Sequence, residues 1–130
     1  METVKSFKDL KIWQRARTVF TMVYADVRAW PRERGPQVLS YQLLRSVGSI
    51  GANIAEGYGR GLPGEFEQFL RYARGSAAET DNWLCFAVET GLISEKRYEE
   101  YAALILELNK MTGAFIGKLR LQDRRKPAPH

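Results

Sequence analysis

Two carboxylates, an amide and a guanidinium gather near the middle of this sequence as Asn53, Glu56, Arg60 and Glu65, with Glu79 further on. Paired carboxylates are the raw material of general acid–base chemistry when a nucleophile or proton relay stands beside them. Here the single histidine, His130, is the last residue, and Cys85 is the lone cysteine. The stronger reading of the five is structural. Asn53 and Glu56 cap or anchor the glycine-rich stretch that follows, and Arg60 neutralises a carboxylate. One His and one Cys are also a poor supply for a transition-metal site. The glycines around Arg60 lack both the Gly-Lys-Ser/Thr ending and the preceding strand of a phosphate-binding loop. The expectation is a protein without catalytic residues, metal or cofactor, and not an enzyme.

The basic residues suggest a different chemistry. Arginine outnumbers lysine thirteen to seven, and the planar guanidinium suits bidentate contact with phosphate. Lys8, Lys11 and Arg15 share the solvent side of a first predicted helix, with Arg17 and Arg28 at its edges. Arg71 and Arg74 lie near the start of a third, and Lys118, Arg120, Arg124, Arg125 and Lys126 end the chain. The net charge of +5 is uneven: residues 1–64 carry ten Lys/Arg and five Asp/Glu, residues 65–109 four and nine, residues 110–130 six and one. A basic, acidic, basic order fits backbone-contact binding of nucleic acid. It also fits an oligomer whose opposite faces meet, or an ordinary solvated surface. No sequence-reading module, zinc finger or RNA-recognition aromatic motif accompanies it.

Hydrophobic spacing predicts four helices to position these groups. The first runs from about Lys8 to Trp30, with Trp13, Ala16, Phe20, Val23, Tyr24 and Val27 on one stripe, and Pro31 ends it. The second runs from Pro36 to about Glu56 on the stripe Leu39, Leu43, Val47, Ile50 and Ile54, and Gly57 to Gly64 form a loop. The third covers Glu65 to Glu89 through Phe66, Phe69, Leu70, Ala73, Ala77, Leu84, Ala87 and Val88, with Gly91 as C-terminal cap. Ser94 caps the fourth, whose inward residues are Tyr98, Tyr101, Ile105, Leu108, Thr112, Phe115, Ile116 and Leu119. Rods about 35 Å long with short links pack as an up-down antiparallel four-helix bundle. One all-α domain is expected over residues 1–123, with 124–130 a flexible basic tail. The N-terminus lacks a secretory h-region, and no run of about 18 uncharged apolar residues exists. The expected home is the reducing cytoplasm, without membrane contact.

Two features exceed what one core requires. Gly48, Gly51 and Ala55 share a flank of the second helix, and two interior glycines cost about 2 kcal/mol relative to alanine. A closely approaching neighbour backbone is the simplest compensation. On the third helix Tyr72, Trp83 and Phe86 lie off the core stripe, a pattern typical of a protein–protein contact. They are read as a homo-oligomer interface, with partial burial under the loop near Arg60 as the other possibility.

Several of these residues also form a recognisable set. Phe7-Lys-Asp-Leu10-Lys-Ile-Trp13 with Ala16 and Val23-Tyr24, Gln42-Leu-Leu-Arg45-Ser, Ser49-Ile-Gly-Ala-Asn53-Ile-Ala-Glu56-Gly57-Tyr-Gly59-Arg60, Glu65-Phe66-Glu-Gln-Phe69-Leu70 and Ala73-Arg-Gly75-Ser76 through Glu79 follow one another in order. This set resembles the four-helix-bundle proteins encoded by intervening sequences of bacterial 23S rRNA genes, from about Phe7 to Leu119. Gly61-Leu62-Pro63-Gly64 departs from the Ser-rich segment often found there. The resemblance implies a bundle that assembles into a homopentameric ring. In the branch of accessory variability proteins of diversity-generating retroelements it implies a basic surface that engages RNA and a reverse transcriptase. The function expected is a non-enzymatic oligomer that binds structured RNA or a nucleic-acid-processing partner. The alternative is a structural or protein-binding scaffold without affinity for nucleic acid.

Overall fold

The computed structural model describes residues 3–124, and within them every regular element is helical. A 3-10 turn at Phe7–Asp9 precedes α1 (Lys11–Val27), α2 (Arg34–Arg60), α3 (Pro63–Glu89) and α4 (Glu95–Arg124). Consecutive helices pack side by side and α4 returns to α1, so α1 faces α3 only across the diagonal. Arg15 pairs with Glu107 and Asp26 with Arg97, which puts opposite ends of α1 and α4 together. The bundle is therefore antiparallel and up-down, as the spacing requires.

Local chemistry sets most of the boundaries. Ser6 caps the short turn, its Oγ accepting from the Lys8 N–H at 3.1 Å, while the Asp9 carboxylate accepts from the backbone of Lys5 and Ser6. Leu10 is extended, so α1 begins at Lys11 and not at Lys8. It also stops before Trp30, at Val27. The residue ahead of a proline is driven out of helical geometry, and tight bonds from Ala29 to Asp26 and from Trp30 to Val27 close the end ahead of Pro31. At the other hairpin Gly91 takes φ 76°, and the Leu92 N–H reaches the Ala87 carbonyl at 2.8 Å. This is the paired-bond glycine cap. Ser94 Oγ then accepts from the Arg97 N–H at 3.0 Å to start α4.

The connection between α2 and α3 differs from the expected loop. α2 continues through Gly57 and Gly59 to Arg60, and only Gly61 and Leu62 separate it from Pro63 at the first position of α3. Gly61, at φ 79°, makes the turn. Gly57 serves packing instead. A Cβ there would lie 2.7 Å from Phe69 Cβ and 2.9 Å from Phe66 Cδ1, so α3 comes as near as it does because that side chain is missing.

The core is one contiguous layer in which Leu43, Ile50 and Ile54 of α2 meet Leu70 and Leu84 of α3 and Tyr101 and Leu108 of α4. Ala16, Val23 and Val27 of the expected α1 stripe are buried in it, joined by Ile12 and Val19, whereas Trp13 and Phe20 are only half-buried and Tyr24 is exposed. The buried face thus keeps the centre of that stripe and exchanges its Trp13–Phe20–Tyr24 edge for Ile12 and Val19. Ser46 and Thr80 are buried with their hydroxyl oxygens 3.1 Å apart, a polar contact inside the α2–α3 seam.

Gly57→Ala should lower stability by about 1–3 kcal/mol, because overpacking outweighs its better helix propensity. Gly48→Ala meets only an ordinary 3.5 Å contact with the Phe20 ring, and should be neutral or stabilising by up to about 1 kcal/mol. Urea unfolding followed by circular dichroism measures both changes.

Candidate nucleic-acid interface

Exposed basic residues collect where α1 and α4 run side by side. Lys11 and Lys118 line one depression beside Met111 and Phe115. Lys11, Arg15 and Arg17 line the next, also against Met111. The two share Lys11, so four of the expected phosphate ligands follow one groove. Glu107 pairs with Arg15 at 3.0 Å, and the Arg17 guanidinium lies 5.5 Å from the centre of the Trp13 ring. Lys8 is exposed ahead of the groove.

The other expected ligands do not join it as a single patch. Arg71 and Arg120 converge on one carboxylate, Glu67, with N–O distances of 3.0 to 3.1 Å. The hydrogen bonds from Arg120 and then from Arg71 hold the Glu67 carboxyl down at about 2, so it stays charged in neutral solution and offsets one of their two positive charges. Arg74 is exposed on α3, and Arg28 stands at the far end of α1. Arg124 closes α4, and Arg125 and Lys126 lie outside the described residues.

The polar cluster also divides. Arg60 pairs with Glu56 at 2.9 Å and lies 3.9 Å from Glu65, so it does neutralise carboxylates. Asn53, however, donates to the Ser49 carbonyl one turn back at 2.8 Å and caps nothing, since α2 has not ended there. Glu79 is bound elsewhere, pairing with Arg45 of α2 and accepting from the Trp83 indole at 3.2 Å. Among the described residues no group of three His, Cys, Asp or Glu side chains is placed to hold a metal ion.

A second charged network, absent from the sequence reading, ties α1 to α4 at the opposite end. Arg97 grips Asp26 through two bonds of 2.8 and 3.1 Å, and the buried Tyr101 hydroxyl donates to the same carboxylate at 2.5 Å. Partial burial works to raise the Asp26 carboxyl, but the bonds from Arg97 and Tyr101 and the Arg97 charge outweigh it and hold it below its usual value. Burial and the adjacent Asp26 push the Tyr101 phenol well above its own. Asp26 and Arg97 are 71 residues apart, so no local pattern could have paired them.

The aromatic face separates in the same way. Tyr72 packs on Phe69 with ring centres 5.6 Å apart and is 49% exposed. Trp83 and Phe86 meet edge to face about three turns away, Trp83 half-buried and Phe86 43% exposed. Arg60 covers Phe69 and not these two. Trp83 instead lines a groove of about 650 Å³ with Val38, Leu39 and Leu92. Val38 and Tyr41, at 56% and 65% exposed, extend the apolar surface onto α2. Sequence reasoning missed both, although lying off the Leu39–Ile54 stripe was the same signal that singled out Trp83.

Gly48 and Gly51 meet side chains, and the expected neighbouring backbone does not reach them. A Cβ on Gly48 would touch the Phe20 ring at 3.5 Å, and one on Gly51 would touch Trp13 Nε1 at 3.4 Å and Ala16 Cβ at 3.9 Å.

The chain matches the model of the 23S rRNA-intervening sequence protein family over residues 8–114. It belongs to that family. Among solved structures it is similar to the crystal structure of a protein of unknown function from the S23 ribosomal protein family of Bacteroides thetaiotaomicron. The two are 28% identical with a TM-score of 0.74, the match covering 81% of this chain and 97% of that one. No curated protein matches the sequence. Membership agrees with the motif set from Phe7 onward and with the four helices. No described helix of this family member is long and apolar enough to cross a membrane.

Asp26→Asn should destabilise the fold by about 1–3 kcal/mol, the range for hydrogen bonds to a charged group. Because the folded carboxyl is depressed, its contribution is complete above the unfolded value near 4 and fades as pH falls through the folded one. Melting curves of the two proteins should therefore converge as the pH drops below about 4.

Proposed function

We propose that this chain is a non-enzymatic, cytoplasmic bundle that assembles with copies of itself and binds structured RNA through phosphate contacts on its α1–α4 face. The observation that carries the reading is the shared groove: Lys11, Arg15, Arg17 and Lys118 follow one line, with Glu107 the only carboxylate paired to any of them among the described residues. Adjacent cations along a groove raise the local potential toward a polyanion and release condensed counterions when it binds. Arg71 and Arg120, held by Glu67, have a bridging role in the bundle. A nucleic-acid-processing protein such as a reverse transcriptase, implied by the resemblance, would use the bound RNA as common ground.

Self-association is supported by the second apolar face. Val38, Tyr41, Trp83 and Phe86 give α2 and α3 an outer surface that a lone bundle leaves wet. Aromatic surface of this kind favours a protein contact. The homopentamer implied by the resemblance is the assembly we expect. The same surface favours the second reading, a scaffold that binds protein alone.

A mobility-shift titration with structured RNA across a salt series decides between them. The pair Lys11→Glu and Lys118→Glu should weaken binding at least about tenfold and flatten the salt slope by about two, one for each lost phosphate contact. Absence of binding by the wild type at low salt leaves the scaffold reading. Tyr41→Glu with Phe86→Glu should reduce the solution mass in multi-angle light scattering to one subunit without loss of helical circular dichroism. A wild-type monomer would refute assembly.

A further inference from the structure

Arg17 belongs to two depressions. One is the basic groove; the other, between α1 and α2, holds about 230 Å³ and is lined by Trp13, Ala16, Phe20, Gly48 and Gly51 as well. We propose that this second depression seats one unpaired nucleotide of the bound RNA, its base between Trp13 and Phe20 and its phosphate at Arg17. The inference rests on the phosphate-binding reading of the neighbouring groove and names what part of an RNA that surface selects.

The shape follows from spacing. Trp13 and Phe20 are seven residues apart on one side of α1, so about 10.5 Å of helix separates them. Between them stands Ala16, buried and too short to fill the gap. Opposite, α2 presents Gly48, Gly51 and Ala52 beside Val47, so small residues make up most of the floor. Each wall is held from behind: Phe7 meets the Trp13 ring edge-on at 5.2 Å, and Tyr24 stacks on Phe20 at 6.1 Å. Rings fixed in advance lose little freedom when a base arrives.

Charge selects the occupant. The rim carries the Arg17 guanidinium, beyond it lie Arg15 and Lys11, and the whole chain is +5. A side chain from a second copy would bring the same excess of positive charge, whereas a nucleotide brings a planar ring and an anion in one unit. Aromatic stacking accepts any base. The paired bases of an A-form duplex cannot reach such a recess, so loops, bulges and single strands are what it favours.

The test compares an RNA hairpin carrying an adenosine-rich loop with a fully paired duplex of the same stem. Gly48→Leu fills the recess without a backbone clash, since its Cβ meets Phe20 at an ordinary distance, and improves helix propensity. Hairpin affinity should fall about tenfold, the scale of one lost base stack, with duplex affinity unchanged. The tryptophan quenching expected when the wild type binds the hairpin should disappear. Trp13→Leu should reproduce the loss, but Gly48→Leu is the decisive variant because its Cβ meets only the Phe20 ring, and circular dichroism checks that each variant keeps its helices. If Gly48→Leu binds the hairpin like the wild type, the inference fails, while the Lys11→Glu, Lys118→Glu pair still reports on the basic groove. A changed solution mass with unchanged RNA affinity would assign the recess to a second copy and overturn the proposal. If the wild type binds neither RNA, both readings fall together.

Discussion

The closeness of α2 to α3 at Gly57 is the constraint from which the rest of the bundle follows. With no side chain at that position, Phe66 and Phe69 can rest against the α2 backbone, and the linker shrinks to Gly61 and Leu62. Two long antiparallel rods then share a seam that runs past the buried Ser46–Thr80 contact to Trp83 at the other end. α2 and α3 each span 27 residues, about 40 Å. α1 is much shorter, at 17 residues. α4, at 30 residues, is longer still, but only α2 and α3 meet along the Gly57 seam, and that pair is the frame that α1 and α4 close.

How α1 and α4 close that frame determines where positive charge remains accessible. Asp26, Arg97 and Tyr101 clamp the two helices at one end, and Arg15 and Glu107 join them nearer the other. These contacts are of unequal strength. The clamp is partly buried and bidentate, which keeps water and salt from screening it, whereas the Arg15–Glu107 pair is nearly half exposed and contributes little to stability. Arg15 is therefore cheap to recruit to a ligand while Arg97 is not. Arg71 and Arg120 are as exposed as Arg15, but they share one carboxylate, Glu67, which ties α3 to α4. Of the candidate phosphate ligands, Lys11, Arg15, Arg17 and Lys118 are the ones that line the neighbouring α1–α4 depressions, while Arg28 and Arg74 stand apart.

Apolar surface is arranged by the same geometry. One core needs one stripe per helix, and α1, α2 and α3 each carry more. On α1 the excess is Trp13 and Phe20, set against the small residues of α2, with Tyr24 stacked on Phe20; on α2 and α3 it is Val38, Tyr41 and Phe86. α2 therefore has a second surface on either flank. One is concave, bordered by arginine and suited to a flat anionic ligand. The other is broad and aromatic, suited to another protein surface.

The sequence by itself determined the four rods, their antiparallel order, the caps at Gly91 and Ser94, and the family motif set from Phe7 through Glu79. All of these depend on neighbours within a turn or two, where periodicity and hydrogen-bonding side chains act directly. Lys11 and Arg15 were legible as a solvent-facing pair for the same reason. Tertiary structure decided the rest. A glycine looks the same in a sequence whether it stops a helix or admits a neighbour, and only the approach of Phe69 shows that Gly57 does the second. Glu67 and Arg120 are 53 residues apart, and Arg45 and Glu79 are 34 apart. Which cations are neutralised therefore depends on which helix faces lie together in the packed bundle, and local spacing carries no information about that.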